Sequence, residues 1–97
     1  MGTEPDLEEV RAALRRHLPG PAWHAYLFGS RARGTAHPMS DWDIGIIGPE
    51  PVRGAILEEL REELEELRTL HCFDVVDLTS TPAGFQSAAL ASAVRLV

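Results

Sequence analysis

With 97 residues, 44% hydrophobic content and a net charge of −6, the chain can build one small folded domain with a modest core. The acidic balance argues against gripping DNA or RNA through the phosphate backbone, which needs a basic surface, so no direct nucleic-acid binding is expected. No apolar run is long enough to span a membrane, the stretch Met1 to Val10 is too acidic for a secretory signal, and the single cysteine, Cys72, allows no internal disulfide; a cytoplasmic setting is expected.

Taken along the chain, Thr3-Glu4-Pro5-Asp6 carries a polar cap, an early proline and acidic residues, which predict a helix start. Leu7, Val10, Leu14 and Leu18 then recur at helical spacing until Pro19-Gly20. Ala22 to Phe28 reads as a strand ending at Gly29, Arg31 to Gly34 as one helical turn, and Thr35 to Ser40 as a loop. Asp43 to Ile47 reads as a second strand closed by Gly48-Pro49. A long helix is predicted from about Pro51 to Leu70, with Ile56, Leu60, Leu64 and Leu67 as its apolar stripe and the glutamates between Glu58 and Glu66 as a solvated face. Cys72 to Leu78 is a third strand, Thr79 to Pro82 a turn and cap, Phe85 to Ala93 a short helix, and Val94 to Val97 a last strand. This order predicts an α/β domain, a small mixed sheet with helices packed on it.

Three features at strand ends carry chemistry. Gly29-Ser30 follows the first strand; a residue without a side chain lets a phosphate approach the backbone, and the serine hydroxyl can hold a phosphate oxygen. Arg31 and Arg33 lie just beyond and could neutralise a triphosphate. Asp41 and Asp43 stand two apart at the start of the second strand, so both carboxylates point to one face, where their repulsion calls for a divalent cation. Mg²⁺ suits such a pair, because it takes a few carboxylates together with substrate phosphate oxygens. The third feature is Phe73-Asp74-Val75-Val76-Asp77-Leu78: an aspartate inside an apolar strand needs a partner or a metal if it is buried, and Asp74 and Asp77 fall on opposite faces, so at most one can join the other carboxylates. Taken singly, each feature is an ordinary turn or a set of solvated acids. Four histidines (His17, His24, His37, His71) lack metal-ligand spacing, and no zinc site is expected.

In combination, Leu27-Phe28-Gly29-Ser30-Arg31-Ala32-Arg33-Gly34, then Asp41-Trp42-Asp43-Ile44, then the Asp74 strand resemble the minimal nucleotidyltransferases of the DNA polymerase β-like superfamily, in particular the antitoxins of HEPN–MNT toxin–antitoxin modules. The resemblance runs over nearly the whole chain, read as a single minimal nucleotidyltransferase domain over residues 1–97 with the polymerase β-like fold. It implies that Asp41 and Asp43 hold two Mg²⁺ ions, that Asp74 holds one of them and helps deprotonate the attacking hydroxyl, and that Gly29, Ser30 and Arg33 bind the triphosphate of an NTP. Trp42 is bulkier than the aliphatic residue usual between the two aspartates and is expected to point into the core. Larger relatives carry a second domain that helps bind base and acceptor; its lack here implies a partner protein. The best understood members move AMP from ATP to a tyrosine of a HEPN ribonuclease toxin, silencing it, so a HEPN-type toxin is the expected partner. Two alternatives keep to the same residues: transfer to a small molecule, and an antitoxin that blocks its partner without catalysis.

Overall fold

The computed structural model describes residues 6–29, 42–67 and 72–97. Among them are four strands: β1 (His24–Phe28), β2 (Trp42–Ile47), β3 (Phe73–Asp77) and the short β4 (Val94–Arg95). They form one sheet in the order β3-β2-β1-β4. β1 pairs antiparallel with β2 and with β4, whereas β2 pairs parallel with β3, so the sheet is mixed as expected. A parallel pair needs a crossover, and α2 (Gly54–Glu65) supplies it between β2 and β3.

One face of the sheet makes the core. Ala25 and Leu27 of β1, Trp42, Ile44 and Ile46 of β2 and Val75 of β3 all turn to it. Over them lie Val10, Ala13 and Leu14 of α1 (Leu7–His17) and Leu60 and Leu64 of α2, all buried. Trp42 is 6% exposed within this cluster, so the bulk between the two aspartates goes inward as expected. The two helices are tied at their polar edge, where Glu63 of α2 receives both His17 Nε2, at 2.8 Å, and the Arg16 guanidinium of α1. β3 is an edge strand; Arg61 of α2 reaches down to donate to the Val75 carbonyl at 2.8 Å. That occupies part of an edge that would otherwise offer itself to another strand.

Helix boundaries differ from the sequence expectation at both ends of the chain. The α1 cap is Asp6, the last residue of the expected start, whose carboxylate accepts from Glu8 N; Thr3, Glu4 and Pro5 lie outside the described residues. α2 begins at Gly54 and not near Pro51. The cause is tertiary: Val52 is buried and its N–H donates to Asp77 at 3.1 Å, which holds the segment before Gly54 extended. Residues 68–70, included in the expected helix, lie outside the described residues. α3 spans Ala83–Leu90, earlier than the expected Phe85–Ala93, because Pro82 takes the first-turn boundary its fixed φ suits. The expected strand end at Leu78 is instead the start of a single 3₁₀ turn, Leu78–Ser80, capped by Asp77. The turn expected over Arg31–Gly34 and the loop over Thr35–Ser40 lie outside the described residues. No helix among the described residues is long and apolar enough to cross a membrane.

Candidate active site

Side chains on a strand alternate, so the residues between the core positions of the sheet face the other way. On that second face the parallel register sets Asp43 of β2 directly beside Asp74 of β3. Adjacent strands lie roughly 4.8 Å apart, so the two carboxylates are neighbours. The antiparallel register sets Phe28 of β1 opposite Asp43 on the other side. Asp74, Asp43 and the end of β1 therefore form one row across three strands. Asp43 is half-buried and Asp74 is exposed. β3 is the sheet edge, so the Asp74 carboxylate meets solvent and does not need the partner that a buried acid in an apolar strand would require.

Gly29 closes the row. Its φ of 75° is the left-handed conformation, reached where the chain leaves β1. A Cβ at this position would overlap the Asp43 carboxylate and stand 3.1 Å from its Cγ. Glycine is required twice over, by backbone conformation and by space. The chain thus passes Asp43 with bare backbone, which is the approach a phosphate needs.

Asp77, three residues on from Asp74, does different work. Its carboxylate accepts from Val52 N at 3.1 Å, Thr79 N at 3.1 Å and Ser80 Oγ at 2.8 Å. It is a structural acceptor on the helix-covered side of β3, knotting three segments together. Ser30, Arg31, Arg33 and Asp41, also singled out in the sequence, lie outside the described residues, which hold Gly29, Asp43 and Asp74. Among the described residues no group of three His, Cys, Asp or Glu side chains stands ready for a metal. The pair Asp43–Asp74 still suits one: both are hard oxygen donors held side by side in register.

One juxtaposition on this face leaves no local mark in the sequence. Gly45, opposite Tyr26 in β1, has no side chain, and the Leu78 side chain lies over it. The Phe28 ring is close as well, 3.3 Å from where a Cβ on Gly45 would stand. Beyond Phe28, α3 comes down beside β1, and Phe28, Gly29, Phe85, Ala88 and Ala89 line a cavity of about 200 Å³. Phe28 and Phe85 are far apart in sequence, and no local pattern signals that they meet.

The fold and this row of residues define a class. The chain matches the polymerase beta, nucleotidyltransferase family over residues 20–97 and belongs to it. Among individual proteins, the probable protein adenylyltransferase MntA of Haemophilus influenzae is 30% identical over 81 residues, covering 84% of this chain and 69% of that protein. A toxin–antitoxin complex solved with AMP-PNP has a chain that superposes with a TM-score of 0.76 at 26% identity, covering 95% of this chain and 73% of that one. The complex of the tri-AMPylated Shewanella oneidensis HEPN toxin with its MNT antitoxin has a chain that superposes with a TM-score of 0.61 at 18% identity, over 95% of this chain and 72% of that one, a likeness of fold.

Proposed function

We propose that this protein is an antitoxin that transfers AMP from ATP to a hydroxyl, that of a tyrosine, on a HEPN-type ribonuclease toxin, and that residues 1–97 act as a single minimal nucleotidyltransferase domain in the cytoplasm. The observation that carries this reading is the in-register pair Asp43–Asp74 beside the positive-φ turn at Gly29, in a chain of the polymerase beta nucleotidyltransferase family. The relatives support its finer part. The Haemophilus influenzae protein is named a probable protein adenylyltransferase, a similar structure holds AMP-PNP, and a structure of like fold holds an AMPylated HEPN toxin.

In this reading Gly29, Ser30 and Arg33 bind the triphosphate, with backbone N–H groups and the serine hydroxyl on its oxygens and the guanidinium offsetting its charge. Asp41, Asp43 and Asp74 hold two Mg²⁺ ions, which when bound stabilise the attacking and leaving oxygens of an in-line displacement. The Asp74 carboxylate, at the exposed sheet edge, takes the proton of the incoming hydroxyl. The hydroxyl oxygen then bonds to the α-phosphorus as its bond to the pyrophosphate oxygen breaks, and pyrophosphate leaves. The exposure of Asp74 on the edge strand supports an acceptor that enters on the β3 side, where a protein segment can approach from solvent. Holding that hydroxyl near the α-phosphate can contribute about 7–11 kcal/mol of the barrier.

The test is co-expression with the HEPN partner, followed by mass spectrometry. A gain of one or more AMP masses on the toxin that disappears with Asp41→Asn and Asp43→Asn supports the proposal. An unmodified toxin in a tight, inhibited complex would replace it with a non-catalytic antitoxin, and AMP found on an added small molecule would replace the acceptor.

A further inference from the structure

The cavity beside Gly29 has no role in the chemistry above. It is bounded by two aromatic rings, Phe28 from the end of β1 and Phe85 from α3, with Ala88 and Ala89 between them on the helix. Phe85 is 51% exposed, a large apolar side chain held in solvent beside a charged site. A volume of about 200 Å³ is smaller than the roughly 300–1,000 Å³ of pockets that enclose a whole small ligand. It suits a single planar ring system with the rest of the molecule lying outside.

Position narrows the occupant. Gly29 is shared: one side of it faces the Asp43 carboxylate and the other lines the cavity. In the row Asp74–Asp43–Gly29, the acceptor enters at the Asp74 end, on the sheet edge, and the cavity lies at the opposite end, beyond β1. What reaches the cavity is therefore attached to the nucleotide and not to the acceptor. A nucleotide with its phosphates at the Gly29 turn has one planar, apolar-faced part left to place.

We propose that the Phe28–Phe85 cavity receives the nucleobase of the NTP, stacking it against the exposed Phe85 ring. The inference rests on the nucleotidyltransferase reading and adds the base-binding residues to it. Stacking on an aromatic ring is tolerant of which base is bound, since every base has a π-face. Ala88 and Ala89 matter by being small, because a larger side chain at either would fill the space the base needs.

The experiment compares two ligands by calorimetry with the full chain and Mg²⁺: ATP, and inorganic tripolyphosphate, which has the phosphates and no base. Phe85→Ala is expected to weaken ATP about tenfold and leave tripolyphosphate unchanged. Phe85→Trp should restore ATP binding, and Ala88→Leu should weaken ATP while sparing tripolyphosphate. Both positions are exposed, so the melting temperature should stay at the wild-type value. Equal loss of both ligands in Phe85→Ala, or loss of neither, overturns the assignment. So does a variant that keeps ATP but loses the HEPN toxin, which would make the cavity a protein contact. A wild-type chain that binds neither ligand would instead sink the nucleotidyltransferase reading itself.

Discussion

Asp74 and Asp77 lie on the same five-residue strand and have opposite fates. Asp77 turns toward the helices and accepts from Val52, Thr79 and Ser80. Asp74 turns to the other face, exposed and level with Asp43. The same contrast holds for the two faces of the sheet as wholes. One is closed by Leu14, Leu60 and Leu64 and holds the fold together. The other carries two neighbouring carboxylates, a left-handed glycine and a glycine, Gly45, whose missing side chain lets Leu78 and Phe28 lie on the strand. A carboxylate held by three donors is a structural part, whereas two carboxylates side by side near a sheet edge can share a cation. On the proposed reading chemistry and stability fall on opposite faces, and substitutions should separate them.

The largest separation is expected from Asp43→Asn and Asp74→Asn. Each should lower AMP transfer at least about 10²–10³-fold, measured as labelled AMP on the partner. The melting temperature of Asp74→Asn should hold, because its side chain is exposed. Transfer near the wild-type rate in either variant would break the division of the faces.

Leu60→Ala should do the reverse. Leu60 is 0% exposed in the core, and truncation there is expected to cost about 2–5 kcal/mol in denaturant unfolding, with ATP affinity of the folded fraction unchanged. Asp77→Asn sharpens the comparison within one strand. It should cost about 1–3 kcal/mol through the weakened acceptors for Val52 N and Thr79 N, while transfer below the melting transition stays within about twofold of wild type. A kinetic loss matching that of Asp74→Asn would show that both carboxylates of β3 serve the site.

The smallest effect belongs to Arg16→Ala. This guanidinium pairs with Glu63 across the two helices with 60% of its side chain exposed. Exposed pairs are worth about 0–1 kcal/mol, and His17 keeps its own hydrogen bond to Glu63. Unfolding should shift only slightly, and less still in high salt, with no change in transfer.

Much of this was legible in the residues themselves. Short apolar runs around Leu27, Ile44 and Val75, bounded by turn residues, marked three strands, and the Leu60–Leu64 spacing marked the crossover helix, since burial of one helix face imposes that period. Alternation alone placed Asp74 and Asp77 on opposite faces, because a strand offers no other arrangement. The family pattern of Gly29, Asp43 and Asp74 was also readable, as identity and order along the chain. Tertiary structure alone decided the rest. That Asp74 is exposed follows from β3 being the sheet edge, and strand order is a property of pairing, not of any one segment. The delay of α2 to Gly54 depends on Asp77 reaching back to Val52 across 25 positions. The pairing of Asp43 with Asp74 depends on the register of a parallel ladder, which is set when α2 docks and not by either strand. The meeting of Phe28 with Phe85 arises only when α3 folds down beside β1. Local forces act through neighbouring residues and leave their mark in the sequence; contacts between distant segments are fixed by how the packed elements fit, and they become visible only once the chain is folded.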